Sequence, residues 1–320
     1  MADVVVTEFM DAEPLAPIED RFSLHIDATL HERPQALHEA VGDARALIVR
    51  NRTVVDQAVL DAAPKLEVVG RLGVGLENID LDACRKRDVE VCPARGANAR
   101  AVAEYAVMSA MMLRRALLPA HRATAAGGWS RTDHGGGRES AEAMFGIIGL
   151  GDIGWQTALL AKAVGFAVQA FDVAPPPIGG QDAGVKTSEK TGASVPRVSL
   201  DQLLATSDVV SIHVPLTDVT RGLIDASRCS SMRPGAILIN TARGGIVDEK
   251  ALADALARGH LGGAALDVFA SEPPSTELLS RFAELPNVLL TPHIAGLTAE
   301  ANIRVNEVTV QNVLRVLTGE

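Results

Sequence analysis

Gly146-Ile147-Ile148-Gly149-Leu150-Gly151-Asp152-Ile153-Gly154, continued by helical spacing and closed by Phe166-Ala167-Val168-Gln169-Ala170-Phe171-Asp172, is the stretch that decides the fold of this 320-residue chain. An apolar run enters three glycines in G-x-G-x-x-G spacing. Trp155, Leu159, Leu160 and Ala163 then recur at helical intervals, and a second apolar run ends on an acid. Gly149 permits a tight turn, Gly151 lets backbone approach a pyrophosphate, and Gly154 lets the helix lie close to the strand. The helix N-terminus offers unpaired N–H groups to phosphates. Glycine-rich turns are common and the spacing alone is weak, but its flanks read as a βαβ dinucleotide unit. Asp172 stands where a carboxylate accepts hydrogen bonds from an adenosine ribose and repels a 2′-phosphate. Val173-Ala174-Pro175 follow with no arginine to receive such a phosphate, so the expected cofactor is NAD rather than NADP.

The length suggests two domains with sizeable cores, and 47% hydrophobic with 22% charged residues is a globular composition. A formal charge of −10 and the lack of any basic run argue against a nucleic-acid partner. The N-terminus has no basic n-region, no apolar stretch reaches membrane-spanning length, and Cys84, Cys92 and Cys229 form no C-x-x-C pair. The expectation is a cytoplasmic protein with reduced thiols, no membrane partner and no metal.

Outward from the glycine stretch, the first hundred residues alternate strands expected at 4–6, 22–26, 46–49, 66–69 and 89–92 with helices at 34–41, 54–62 and 81–87. Such alternation implies a parallel sheet covered on both faces. This half carries no glycine fingerprint, so it reads as a second α/β domain with another task. Residues 99–121 read as one long apolar helix, its wide apolar surface serving either a homodimer contact or intramolecular packing. Residues 127–140 read as an exposed connector and 175–196 as a loop. Helices at 200–205 and 250–258, strands at 209–214, 236–240, 264–268 and 288–290, and a closing helix at 297–317 continue the alternation.

Open α/β sheets bind ligands outside the carboxyl ends of their strands. Polar residues collect there: His213-Val214-Pro215, Asn240-Thr241-Ala242-Arg243, Asp267, Glu272 and His293. Arg243 suits a bidentate grip on a substrate carboxylate. His293 suits proton exchange with a hydroxyl or carbonyl oxygen near neutral pH. Glu272 can hold the imidazole and favour its charged form. Together with a nicotinamide cofactor they make a 2-hydroxy-acid dehydrogenase. Each also has a plainer reading: Arg243 capping a helix or pairing with Asp248, Glu272 solvated ahead of two prolines, His293 structural.

At these residues the chain resembles the D-isomer-specific 2-hydroxy-acid dehydrogenases, most closely their phosphoglycerate dehydrogenase-like branch. The matching segments run in family order: Gly70-Arg71-Leu72-Gly73-Val74-Gly75-Leu76-Glu77-Asn78-Ile79-Asp80, Val102-Ala103-Glu104, the glycine stretch, His213-Val214-Pro215-Leu216, Asn240-Thr241-Ala242-Arg243-Gly244-Gly245-Ile246-Val247-Asp248, Ala264-Ala265-Leu266-Asp267-Val268-Phe269, Glu272-Pro273-Pro274 and Thr291-Pro292-His293. The resemblance implies a catalytic set of Arg243, Glu272 and His293. It implies cofactor contacts from Gly149, Gly151, Asp152, Ile153 and Gly154, from Asp172, and from His213, Val214 and Pro215. Further contacts are implied from Thr241, Ala242, Arg243, Asp267, His293 and Gly296. It also implies that Leu72, Gly73, Val74 and Gly75 face the substrate.

The family architecture is two doubly wound parallel-sheet domains. The resemblance thus implies a flavodoxin-like, discontinuous substrate domain at 1–98 and 295–320, a Rossmann domain at 99–294, an active site in the cleft between them, and a homodimer. Departures from the family pattern are Asp152, where a basic residue often stands, Ala141-Glu142-Ala143 in place of a glycine-lysine pair, and Ile294-Ala295-Gly296-Leu297-Thr298 after the histidine. The family's C-terminal regulatory domain is not expected beyond Glu320.

Arg71 opens the substrate-facing loop, and Arg50 ends a neighbouring strand pattern. Two cations there suit a 2-hydroxy or 2-oxo acid with a second anionic group, (S)-3-sulfolactate or 3-phosphoglycerate, though Arg71 could instead pair with Glu77. The alternative to an enzyme is an NAD-sensing corepressor-like module. A formate-type enzyme would need glutamine in place of Glu272.

Overall fold

The computed structural model describes residues 2–172 and 194–320. The chain divides into two compact units, Met1–Asn98 with Leu297–Glu320, and Ala99–Gly296.

The first unit holds five parallel strands, β1 (Val4–Val6), β2 (Leu24–Ile26), β3 (Ala46–Val49), β4 (Val68–Arg71) and β5 (Glu90–Pro93), in the order β2-β1-β3-β4-β5. This is the flavodoxin-like order, which reverses direction between β1 and β3. Every residue of β1 and β3 is buried, as expected of parallel strands covered on both faces. On one face Leu47 and Val69 pack with Leu37, Val59 and Leu60 from the helices Pro34–Ala40 and Gln57–Ala62. On the other, Val4, Ile48 and Val68 pack with Val305, Val310 and Val313. Those three belong to the chain's last helix, Ala299–Thr318, so the C-terminal segment completes the first core. Asp56 and Asp80 accept N–H bonds from Val59 and Ala83, capping two helices that follow strands.

The second unit holds six parallel strands: β6 (Met144–Ile148), β7 (Ala167–Phe171), β8 (Val209–Ile212), β9 (Ile237–Asn240), β10 (Gly263–Leu266) and β11 (Val288–Leu290). Their order is β11-β10-β9-β8-β6-β7. Beyond β7, Arg197 forms one parallel bridge with Ala170, made by Ala170 N–H donating to Pro196 O and Val198 N–H donating to Ala170 O, both at 2.9 Å. Counting that bridge as a third strand gives the Rossmann order, in which the first strand is central and the chain reverses direction beside it. The sequence reading continued the loop to residue 196. Most of that loop, with Val173-Ala174-Pro175, lies outside the described residues.

The helix expected at 99–121 is two helices, Ala99–Arg114 and Leu117–Ala125, with Ala116 left-handed at φ 47°. Pro119 lacks an N–H and its ring would meet the Arg115 carbonyl, so the chain restarts the helix at Leu117 and places the proline in its first turn. Arg138 N–H donates to Arg114 O at 2.8 Å, and the Arg114 guanidinium donates to Glu139 O at 2.7 Å. The connector thereby takes the carbonyl that a continuing helix would have used. The first helix buries Ala106, Val107, Ala110 and Leu113 against Ala158 and Ala161 of the helix Asp152–Ala163. The second buries no residue, and Met108, Met111, Leu117 and Trp129 all stay exposed.

Cys84, Cys92 and Cys229 are free and buried, and burial pushes the thiols of Cys92 and Cys229 up to about 11. No described helix is long and apolar enough to cross a membrane.

Candidate active site

The glycine stretch leaves β6 and turns directly into the helix Asp152–Ala163. Gly149 has φ +97°, and a Cβ there would meet His213 O and Val214 Cγ1 at 2.7 Å. A Cβ on Gly154 would lie 1.9 Å from Gly149 O, so turn and helix fit together only without side chains. Among the described residues, a Cβ on Gly151 would meet nothing within 4 Å, and no side chain caps the helix it precedes. The first-turn N–H groups therefore remain available to phosphate oxygens. Asp152 opens that helix, where its charge suits the helix dipole and opposes a phosphate. Asp172 follows β7, and its Oδ2 accepts Leu150 N–H at 2.8 Å, tying the acid to the glycine turn. The hydroxyl of Thr241, just after β9, is buried with no hydrogen-bond partner among the described residues. An open backbone cradle, a fixed acid and a buried hydroxyl awaiting a partner fit a dinucleotide.

His213 follows β8. Its Nε2 lies 2.9 Å from Ser211 Oγ, and burial pushes the imidazole down to about 3, so it stays neutral. Pro215 O accepts the Thr220 hydroxyl at 2.6 Å, which fixes the turn carrying Val214.

Arg243, Asp267, Glu272 and His293 follow β9, β10 and β11, three adjacent strands of the sheet. Buried Asn240 pins the backbone before Arg243 from both sides: its Nδ2 donates to Arg243 O at 3.0 Å and its Oδ1 accepts Ala242 N–H at 3.1 Å. Arg243 Nη1 donates to Ala242 O at 2.6 Å. Asp248 caps the helix Glu249–Ala257, accepting N–H bonds from Lys250 and Ala251.

His293 Nδ1 lies 2.8 Å from Glu272 Oε2, while Glu272 Oε1 accepts Phe269 N–H at 3.1 Å. With a carboxylate facing Nδ1, that nitrogen carries the proton and Nε2 is left for other work. His293 itself is left-handed, at φ 57°. The turn sends three successive N–H groups toward one residue. His293 N–H donates to Asp267 O at 2.8 Å, Ile294 N–H to Asp267 Oδ1 at 2.8 Å and Ala295 N–H to Asp267 Oδ2 at 2.7 Å.

Asp267 is buried and also accepts the Thr291 hydroxyl at 2.6 Å, while Tyr105 Oη lies 2.5 Å from the same hydroxyl. Thr291 has one hydroxyl proton, which goes to the carboxylate, so Tyr105 donates to Thr291. A pocket of about 460 Å³ borders His293 and Glu272, walled by Phe269, Pro273, Leu279 and Leu290.

Sequence reasoning singled out His293, Glu272 and Asp267. It missed Tyr105 and Thr291, which brace the histidine turn from 186 residues apart. The available signal was the chain's single tyrosine, standing in register with the apolar residues of its helix.

In the first unit, Arg71 is the last residue of β4 and is paired with Val49, and Arg50 follows at the end of β3. Arg71 Nη1 donates to Leu72 O at 2.7 Å and folds across Gly73, while Val74 is exposed. Arg50 Nη2 donates to Asn302 Oδ1 at 2.6 Å. These residues lie at the carboxyl edge of their own sheet, as the catalytic and cofactor candidates do at theirs.

The family profile described as D-isomer specific 2-hydroxyacid dehydrogenase, NAD binding domain, matches residues 107–295. The (S)-sulfolactate dehydrogenase of Chromohalobacter salexigens is 45% identical over 317 residues, covering 99% of each chain. The D-3-phosphoglycerate dehydrogenase of Mycobacterium bovis is 40% identical over 281 residues, covering 88% of this chain and 51% of that one. Among solved structures, the TT0316 protein of Thermus thermophilus superposes with a TM-score of 0.85 at 32% identity, covering 99% of this chain and 97% of the other.

Proposed function

The chain belongs to the D-isomer-specific 2-hydroxyacid dehydrogenase family, and we propose that this NAD-dependent enzyme acts on a D-configured, three-carbon 2-hydroxy acid with an anionic group on C3. (S)-3-sulfolactate stands ahead of 3-phosphoglycerate. The observation that carries this reading is the pair of arginines ending neighbouring strands, Arg50 and Arg71, whose Cα positions fall within about 5–6 Å of one another by ordinary strand spacing. The full-length similarity to a protein named for sulfolactate favours the sulfonate. An S label suits a D-type site, because sulfur outranks the carboxyl oxygens in the naming rules and changes the letter without changing the arrangement.

Arg243 grips the substrate carboxylate with its planar fork. His293 takes the C2 hydroxyl proton on Nε2 during oxidation and returns it during reduction, while Glu272 holds Nδ1 and steadies the imidazolium. NAD, when bound, exchanges a hydride with substrate C2. The turn after β6, Asp172 and Thr241 hold that cofactor, and Asp172 sets the preference for NAD.

The test is turnover of (S)-3-sulfolactate, 3-phosphoglycerate, D-glycerate and D-lactate with NAD and NADP in parallel. A preference for uncharged C3 groups overturns the substrate class, and a preference for NADP overturns the role of Asp172. NAD binding with no turnover across the panel would favour an NAD-sensing module. Arg71→Ala should raise KM for the preferred dianion at least about tenfold more than for D-lactate, because only the dianion loses a charge-assisted contact. Equal effects would leave Arg71 structural.

The exposed Met108, Met111, Leu117 and Trp129, on and beside a helix with no buried residue, support a homodimer formed through this region. Sedimentation velocity should find a dimer at micromolar concentration that Leu117→Glu disperses, and a monomeric wild type ends this reading. Three free thiols accord with a reducing, cytoplasmic setting.

A further inference from the structure

Arg50 is fixed from two sides by groups with no part in the reaction. Glu8, two residues beyond β1, is a buried carboxylate facing the loop after β3. It accepts backbone N–H bonds from Arg50 at 2.8 Å, Asn51 at 3.3 Å, Arg52 at 3.1 Å and Thr53 at 2.9 Å. Burial pushes the Glu8 carboxyl up, but these N–H groups outweigh it and hold the carboxyl below its ordinary range. The Thr7 and Thr53 hydroxyls join at 2.7 Å beside it. Converging N–H groups of this kind suit an external anion. Here, at the switch point between β1 and β3, the chain's own carboxylate fills them, which sets the backbone of Arg50.

The guanidinium is set separately. Its Nη2 donates to Asn302 Oδ1 at 2.6 Å, on the closing helix. Asn302 Nδ2 donates to Asp11 Oδ2 at 2.6 Å, and Asn306 Nδ2, one turn on, donates to the same oxygen at 2.8 Å. With its nitrogen committed to Asp11, Asn302 must turn its oxygen to Arg50. Among the described residues Arg50 forms no ion pair within 4 Å, and the nearby Asp11 carboxylate reaches it only through the neutral amide.

We propose that Asn302 is a specificity-positioning residue: its amide oxygen aims the Arg50 guanidinium without neutralising it, so the C3 anion of the substrate meets an uncompensated cation. This rests on the reading of Arg50 as a substrate anchor. A carboxylate at residue 302 would answer the arginine from within the chain, and an apolar residue would release it.

The experiment compares Asn302→Asp, Asn302→Ala and Arg50→Ala. It measures kcat/KM for (S)-3-sulfolactate and for D-lactate, with inorganic sulfate as a competitive inhibitor. The sulfolactate-to-lactate ratio should fall at least about tenfold in Asn302→Asp and about threefold in Asn302→Ala, with inhibition by sulfate weakened in the same order. Asn302→Ala carries the test should the new carboxylate clash with Asp11 and unfold the chain. Loss of selectivity in Arg50→Ala with wild-type ratios in both Asn302 variants refutes the positioning role and leaves Arg50 an anchor. Wild-type selectivity in Arg50→Ala, or a wild type indifferent to the C3 charge, refutes the anchor and the positioning role with it.

Discussion

His293→Asn lowers kcat at least about a hundredfold while NAD affinity stays within about twofold of wild type. Asparagine suits this test because it tolerates the left-handed conformation that His293 adopts at φ 57°. The backbone bonds to Asp267 can therefore persist. The new amide can still donate to Glu272 from near the place of Nδ1. Only Nε2 disappears, the atom assigned to the substrate proton. The pH profile adds a second readout. His213 is held neutral by burial, with its value pushed down to about 3, so it adds no ionisation to that profile near neutrality. Steady-state rates and NADH fluorescence titration measure both quantities, and a variant that turns over like wild type removes His293 from the chemistry.

Arg243→Lys should cost at least about a hundredfold in kcat/KM, about 2.7 kcal/mol of transition-state stabilisation. Lysine keeps the charge and discards the planar fork. The guanidinium already spends Nη1 on Ala242 O at 2.6 Å, so its plane is set by the chain before any substrate arrives. An ammonium has no plane to set, and it can satisfy either Ala242 O or a carboxylate oxygen well, not a carboxylate edge as well. Retention of a third or more of wild-type kcat/KM would mean that charge alone suffices and that the bidentate grip is wrong.

Much of this architecture was legible because it rests on local signals. The strands at Val4–Val6, Ala46–Val49 and Val288–Leu290 are where short apolar runs place them. Strand β4 is shifted two residues beyond its expected place, to Val68–Arg71, because apolar Leu66 packs in the core just ahead of the ladder. The helix at Thr276–Ala283 was passed over although Ser275 caps it, since two prolines obscure its start. The break at Ala116 has a local cause that the expected helix ran past: Pro119 lacks an N–H and its ring cannot follow an unbroken turn at Arg115, so it sits in the first turn of a new helix. Bonds joining Arg114 to Arg138 and Glu139 then hold the chain at that break, and no periodicity of residues 99–121 reports those. The third Rossmann strand escaped notice because it amounts to one residue, Arg197, just after a proline.

The site divides the same way. His293 and Glu272 were visible as polar residues beyond apolar runs, and they meet at 2.8 Å. The group that shapes the histidine turn was visible only as separate letters. Tyr105, Thr291 and Asp267 join through side chains that turn inward, and Glu8 joins the loop at Arg50 in the same manner. Sequence spacing reveals which face of an element is apolar, and a buried polar residue on that face looks like an exception until its partner is in view.

The three thiols make each unit a reporter of its own opening. Alkylating reagents consume thiolate, and burial both raises the pKa of Cys84, Cys92 and Cys229 and keeps reagent away. Modification must wait for the surrounding structure to part. Cys84 and Cys92 lie in the unit built on β1–β5, and Cys229 lies in the unit built on β6–β11. Peptide-resolved labelling in weak denaturant therefore times the loosening of the two units separately within one intact chain, without an introduced probe. Adding NAD to such a run slows the Cys229 clock by an amount that measures how far cofactor binding steadies the unit that carries it.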